Sequence, residues 1–337
     1  MRLAVVMSGF PRRSETFALN ELLELDRRGL LAAIVATKPG DGAPLHPGAR
    51  PLLPKVTYVS SPREAGAVAR AVGATALHAY FAHRPAEVAA LAAAELDLPH
   101  GFSAHAKDVR KVDDLATRAV AVRCVIACND DVAADLRRAG ARPVLVPHGV
   151  DLDRFRPASA PGRRELSLLA VGRLVPKKGF DVLLEAVAKL SFPFRLRIVG
   201  DGPERARLAG RDERVELVGP ATHDELPALY EAADVVVVPS AEDASGDRDG
   251  LPNVVLEAMA CGRPVVASDV GAIASAGTGL LVAPGDPDAL ADALTSLARR
   301  PALRRRLGDR ARREAEGRFG LAACTARLCR VLETAYV

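Results

Sequence analysis

Net charge is scarce in this chain of 337 residues: 46 basic side chains against 42 acidic ones leave +4. That balance is too weak to argue for a nucleic-acid partner. Cysteines are few and lack metal-site spacing. The five, at positions 124, 128, 261, 324 and 329, form no CxxC pair. Their odd number and irregular spacing point to reduced thiols in a cytoplasmic protein. Cys124 and Cys128 share one apolar run and read as core. Long apolar runs are also missing. The first, Leu3 to Met7, has a strand's length and not that of a membrane span or signal-peptide core. Membrane contact is therefore expected only as a peripheral one, at the inner face. No repeat of solenoid period is present. Basic charge concentrates between Arg299 and Arg318, but acids and alanines interrupt it, as on a solvated helix face.

What is present is a globular profile, 49% hydrophobic and 26% charged, at a length suited to two domains. Short apolar runs alternate with helical stretches, which predicts an α/β architecture with parallel sheets. In the first half the runs are Leu3–Met7, Leu31–Ala36, Val56–Val59, Ala76–Tyr80, Gly101–Ser103, Val122–Ala127 and Val144–Val146. Ser14, Glu15 and Thr16 offer a cap and an acidic first turn for the first helix. Residues 38–62 read as loop apart from that short strand, and little is expected between Ser61 and Ala76. A second series follows a linker ending at Pro157: Leu166–Val171, Arg195–Val199, Val215–Val218, Val235–Val238, Val265–Ala267 and Leu280–Val282. Helices at 286–298, 301–317 and 320–336 close the chain. The expected fold class is thus α/β, with two doubly wound, Rossmann-like domains facing each other across a cleft. The domains span residues 1–155 and 156–319, and a C-terminal helix, 320–337, packs back towards the first. Sheets of this kind hold ligands beyond the carboxyl ends of their strands.

The stretch from Arg248 to Ala267 is the most informative. Asp249, Gly250 and Leu251 form an acidic loop, Pro252 suits a first helical turn, and Gly262 suits the helix end. Glu257 follows Asp249 by eight positions, about one and a half turns into the helix at ~1.5 Å per residue. A helix N-terminus favours an anion, so a phosphate can sit between two acids that bind hydroxyls on either side. A nucleotide sugar offers those groups. Earlier, Gly172-Arg173-Leu174-Val175-Pro176-Lys177-Lys178-Gly179 follows the first strand of the second series. Arg173 can fork two donors to phosphate oxygens, and Lys178 adds a mobile charge. The turn Gly200-Asp201-Gly202 lacks the third glycine of a dinucleotide fingerprint, so no NAD is expected.

These motifs resemble those of the family 4 retaining glycosyltransferases of the GT-B fold: the acid-x7-acid pair Asp249 and Glu257, and the basic loop with Arg173 and Lys178. His105, in Ala104-His105-Ala106-Lys107-Asp108, matches the family's A-H-x-x-D segment, and Pro147-His148-Gly149-Val150-Asp151 its end of the first domain. Phe10-Pro11-Arg12-Arg13-Ser14-Glu15-Thr16-Phe17 and the stretch from His78 to His83 resemble the subgroup of exopolysaccharide and colanic-acid-type assembly.

The resemblance implies a hexosyltransferase that moves a sugar, with retention, from a UDP-, GDP- or ADP-linked donor to a hydroxyl acceptor. That acceptor would be a glycan, a lipid-linked glycan or a small molecule. No cofactor and no metal are implied. Arg173 and Lys178 would hold the diphosphate, Glu257 the ribose and Asp249 the sugar hydroxyls, while His105 orients the sugar ring across the cleft. Gly172, Val218, Gly250, Leu251 and Pro252 complete the donor site, with Val218 at the place where the family holds the base. Gly9, Ser14, Glu15 and His83 are candidates for the cleft or the acceptor, and His78 for a structural role. Metal binding by the histidines finds no support in ligand spacing. Three departures from the family pattern stand out. Asp249 replaces the more common glutamate, the segment 274–279 is short and without an acid, and the first domain is small. A donor-binding protein with little or no turnover is the alternative function, with a phosphorylase or epimerase relative as a third.

Overall fold

The computed structural model describes residues 1–12, 15–42, 47–106, 109, 112–157, 165–277 and 279–337. Ser14, Lys107, Asp108 and Thr278, which carry parts of the motifs above, lie outside the described residues.

The first half builds β1 (Leu3–Met7), α1 (Thr16–Arg27), β2 (Leu31–Ala36), β3 (Val56–Tyr58), α2 (Pro62–Ala71), β4 (Ala76–Tyr80) and α3 (Arg84–Leu96). It continues with β5 (His100–Ala104), α4 (Leu115–Val120), β6 (Cys124–Ala127), α5 (Asp130–Arg138) and β7 (Val144–Leu145). The seven strands pair in parallel in the order β3-β2-β1-β4-β5-β6-β7. Both faces of the sheet are covered, which is why its strands read as unbroken apolar runs. Ala4 and Val6 of β1 join Leu77, Ala79 and Phe102 in one core, while Leu3, Val5 and Met7 join Leu22, Leu25 and Tyr80 in the other.

The second half builds β8 (Leu166–Val171), α6 (Phe180–Ala188), β9 (Phe194–Val199), α7 (Arg205–Leu208), β10 (Val215–Gly219) and α8 (Leu226–Glu231). Then come β11 (Val235–Val238), α9 (Asn253–Ala260), β12 (Val265–Ser268), β13 (Leu280–Val282), α10 (Pro287–Arg299), α11 (Pro301–Arg318) and α12 (Leu321–Tyr336). Its six strands are again parallel, in the order β10-β9-β8-β11-β12-β13. The expectation of two doubly wound α/β domains holds.

Contacts divide the chain into two units, Met1–Gly149 with Leu321–Val337, and Val150–Gly320. Helix α12 belongs to the first unit. Its Leu328, Cys329, Leu332 and Tyr336 lie in the same core as Leu22 and Leu25 of α1. The Tyr336 hydroxyl lies 2.8 Å from His78 Nδ1, and His78 Nε2 lies 2.9 Å from Ser103 Oγ. His78 is fully buried, and burial pushes its ring down to about 3, so it stays neutral. It is a structural histidine that ties the last turn of the chain to β4.

Two local expectations need correction. The stretch between Ser61 and Ala76 is not bare: α2 fills it, with Ser61 Oγ accepting the Glu64 amide at 3.2 Å and Pro62 in the first turn. Helix α9 begins one residue after Pro252, which sits at the cap in extended backbone with ψ 141°. The arginine-rich α11 is also less uniformly solvated than its composition suggests. Arg312 donates to the carbonyls of Phe155 and Ala260, and Arg304 to those of Leu297 and Ala298.

Candidate functional site

In the second unit the sheet changes direction between β8 and β11, which are neighbours although far apart in sequence. At such a switch point the loops leaving the two strands part and open a crevice beyond their carboxyl ends. The basic loop leaves β8 and the acidic loop follows β11. Their meeting requires Gly179: its φ is +63°, and a Cβ there would stand 1.9 Å from the Pro239 carbonyl oxygen. Only glycine permits that approach. The Ala241 amide donates to the Lys177 carbonyl at 2.9 Å and completes the seam.

Across this seam Lys178 Nζ donates to Asp249 Oδ2 at 2.6 Å, and Ser240 Oγ donates to the same oxygen at 2.7 Å. Lys177 Nζ lies 3.6 Å from Asp249 Oδ1 and 3.2 Å from Asp247. Burial by itself would raise the Asp249 carboxyl, but Lys178, Ser240 and Lys177 outweigh it and hold Asp249 below its ordinary value. The result is an ionised acid held by two lysines, with Asp247 beside Lys177. Gly271 braces the acid from behind, since a Cβ there would stand 2.4 Å from the Asp249 carbonyl, and the Ala272 amide donates to the Gly250 carbonyl at 3.2 Å. The short segment that follows Gly271 is thus anchored directly to the acidic loop.

Glu257 faces inward on α9, whose residues Val255 to Ala260 are all buried. Its carboxyl accepts the Tyr230 hydroxyl at 2.6 Å and has no cation within ion-pair distance among the described residues. Burial pushes Glu257 up to about 7, and the tyrosine hydrogen bond offsets only part of that. Arg173 is exposed and its side chain makes no hydrogen bond or ion pair among the described residues, so its guanidinium remains available. The Gly172 amide donates to Val199, holding the start of the loop to the sheet. Val218 is exposed near the end of edge strand β10, and Leu251 and Pro252 are half-buried before α9. The structure therefore joins Lys178 to Asp249 directly, holds Glu257 through Tyr230, and leaves Arg173 in solvent.

The candidates of the first unit cluster beyond the ends of β1, β4 and β5. Gly9 is buried after β1, where a Cβ would stand 3.0 Å from the Pro39 carbonyl. Glu15 occupies the cap position of α1 without capping it, and accepts Arg12 Nη1 at 3.0 Å instead. His83 precedes α3 and stacks on Phe81, with ring centres 5.5 Å apart and planes at 12°. Phe81 has a φ of +83°, a strained conformation for an aromatic residue at the end of a strand. His105 follows β5 and packs among Phe17, Phe81 and His148, with ring centres 4.9, 4.7 and 5.1 Å away.

His148 is tied to Glu21 of α1, with Nδ1 2.8 Å from the carboxylate, and Glu21 also accepts the Tyr80 hydroxyl at 2.6 Å. Burial works against charge on both groups. Their mutual attraction prevails, lowering Glu21 and raising His148 to about 10.

Several of these residues escaped the sequence reading. Ser240 carried the positional signal of following a strand at the switch point. Lys177 has no role assigned from the sequence, yet it shares the acidic loop with Lys178. Tyr230 and Glu21 give no local signal, because each meets its partner only through the fold.

Two parallel α/β domains with polar clusters beyond their strand ends, one of them a lysine–aspartate cluster at a switch point, have the architecture in which ligands bind beyond the carboxyl ends of the strands. Residues 14–154 match the model of Glycosyltransferase Family 4, and residues 165–300 match that of Glycosyl transferases group 1. Together these matches span most of the chain, which belongs to the family 4 glycosyltransferases. A D-inositol 3-phosphate glycosyltransferase of Rhodococcus erythropolis is 33% identical over 269 residues, covering 70% of this chain and 58% of the relative. WcaL of Salmonella typhimurium, named for colanic acid biosynthesis, is 38% identical over 166 residues, 45% of this chain and 41% of the relative. The alignments thus span only about half the length of these curated relatives. The crystal structure of Anabaena Alr3699/HepE in complex with UDP superposes with a TM-score of 0.83 at 19% identity, covering 99% of this chain and 100% of that one. This likeness establishes the GT-B fold. Among the described residues no helix is long and apolar enough to cross a membrane.

Proposed function

We propose that this protein transfers a hexose-type sugar from a nucleoside-diphosphate sugar to a hydroxyl acceptor, with retention at the anomeric carbon. The observation that carries this reading is the Lys178–Asp249 contact of 2.6 Å at the switch point, beside an uncommitted Arg173. A departing diphosphate takes negative charge with it, and preorganised cations lower the barrier to that departure. Lys178 and Arg173 supply such charge at the donor site, so that a divalent metal is not required there. Asp249 is held ionised to accept sugar hydroxyls, and Glu257 stands on α9 to accept the ribose. When a diphosphate arrives, Lys178 exchanges part of its bond to Asp249 for the phosphate oxygens. The departing phosphate then serves as the base for the incoming hydroxyl on the same face. The acceptor belongs to the class of glycans, lipid-linked glycans or small hydroxyl compounds, and the likeness to WcaL favours a glycan.

The structural neighbour is bound to UDP, and a related structure holds UDP-glucose, which makes UDP the first ligand to test. Calorimetry with UDP, GDP, ADP and TDP, in the presence of a chelator, should show selective binding of one of them. Arg173→Ala and Glu257→Ala should each weaken that binding while the fold persists. Absence of binding by all four nucleotides, or unchanged affinity in both variants, would remove the donor-site assignment. Incubation with the matching nucleotide sugar and an acceptor panel then separates a transferase from a protein that only binds: the transferase releases nucleoside diphosphate.

A further inference from the structure

Strands β5, β6 and β7 lie side by side, and each is followed beyond its carboxyl end by one metal-ligating side chain: His105, Cys128 and His148. One ring nitrogen of each histidine and the Cys128 sulfur lie within 4.8 Å of one another. Such a set has no sequence spacing to betray it, because the three ligands come from three separate crossovers.

The second feature is the state of His148. Its Nδ1 is engaged by the Glu21 carboxylate at 2.8 Å, and Glu21 is itself held by the Tyr80 hydroxyl at 2.6 Å. Nε2 points the other way. It is buried without a hydrogen-bond partner among the described residues, and the imidazole to which it belongs shares a cluster with the Cys128 thiol. A carboxylate on one imidazole nitrogen, with a thiol and a second imidazole clustered about the same ring, is the arrangement that orients a histidine towards a metal.

We infer that His105, Cys128 and His148 form a binding site for a single Zn2+-class cation, with Glu21 and Tyr80 as the outer shell that orients His148. Two imidazoles and one thiolate suit a borderline-soft ion and disfavour Mg2+ or Ca2+, which prefer oxygen. Around tetrahedral zinc, with Zn–N of ~2.0–2.1 Å and Zn–S of ~2.3 Å, ligand atoms stand roughly 3.3–3.8 Å apart. The cluster must therefore contract by about 1 Å. The two imidazole planes lie within 10° of parallel, so one ring must tilt to aim at the shared ion. Three protein ligands leave a fourth position for water or a small anion. The inference concerns the first unit alone and does not depend on the transferase reading.

The test uses the full chain, reduced and stripped with a chelator, titrated with Co2+ as a spectroscopic substitute for Zn2+. One equivalent should bind, with tetrahedral visible bands and a thiolate-to-cobalt charge-transfer band, and Zn2+ should displace it. Cys128→Ser should abolish the charge-transfer band, while Cys124→Ser, which removes a neighbouring thiol outside the cluster, should retain it. Glu21→Gln should keep the band and weaken Zn2+ affinity by ~10- to 100-fold, the usual effect of an outer-shell change. Wild-type protein without the charge-transfer band overturns the proposal, whatever the variants do. A band that survives in Cys128→Ser, or vanishes in Cys124→Ser, overturns it as well.

Discussion

Each domain buries one glutamate beneath a tyrosine hydroxyl at the same distance of 2.6 Å, Glu21 with Tyr80 in the first and Glu257 with Tyr230 in the second. The two carboxyls nonetheless differ in charge. Glu21 is held below its ordinary value because the His148 imidazolium faces it, whereas burial pushes Glu257 up to about 7 with no such partner. A tyrosine hydrogen bond alone does not keep a buried carboxylate ionised. A counter-ion does. The same contrast separates Glu257 from its neighbour on the acidic loop, since Asp249 is ionised by Lys178. One domain thus keeps a buried ion pair at its strand ends, and the other combines one ionised, lysine-paired acid with one that can change charge near neutral pH.

The comparison is most directly broken by His148→Ala. That change leaves Glu21 buried without its cation and should destabilise the first domain by ~3–5 kcal/mol. The chain has no tryptophan, so the effect is best read by hydrogen exchange resolved by domain. A loss no larger in the first domain than Glu257→Gln produces in the second would show that the counter-ion does not matter.

Acid should separate the domains next, at ~1.4 kcal/mol per unit difference in pKa. His78 has a folded value of about 3 against an ordinary 6.5, so the unfolded chain binds its proton first. Stability of the first domain should therefore fall as pH drops from 6.5 towards 3, by up to a few kcal/mol. Glu257 acts in the opposite sense. Its folded value of about 7 exceeds the ordinary 4.5, so its contribution makes the second domain more stable as pH drops from 7 towards 4.5. Hydrogen exchange at pH 5 and pH 7.5 checks both signs. His78→Gln should flatten the first slope and Glu257→Gln the second.

Smaller effects sharpen the picture of the second domain. Gly179→Ala puts a Cβ against the Pro239 carbonyl at a positive φ, and should cost ~1–3 kcal/mol while weakening nucleotide binding at least tenfold. Arg173→Ala should change stability by no more than ~0.5 kcal/mol, because the side chain is exposed and unpaired, yet it should lower nucleotide affinity. An equal loss of stability in both variants would mean that the basic loop is structural and not a ligand site.

Much of the fold was legible before the structure. Parallel strands covered on both faces read as continuous apolar runs, and β1, β2, β4, β8 and β13 lie where those runs predict. Helix α2 is legible too, since Ser61-Pro62-Arg63-Glu64 carries a cap, a first-turn proline and an acid three residues after the cap. The site was legible only in part. Lys178 and Asp249 announced themselves by motif, and the fold brings them together at 2.6 Å. Ser240, Tyr230 and Glu21 did not, since a lone polar residue beside an apolar run looks the same whether or not a partner awaits it.

The sequence by itself determined which segments are strands, which loops carry charge, and to which family the motifs are similar, because these are properties of neighbouring residues. Only the tertiary structure decided which acid is ionised, which histidine is buried neutral, and which three side chains converge beyond β5, β6 and β7. Those outcomes depend on distance and burial between residues as far apart as Glu21 and His148, and no local pattern encodes them.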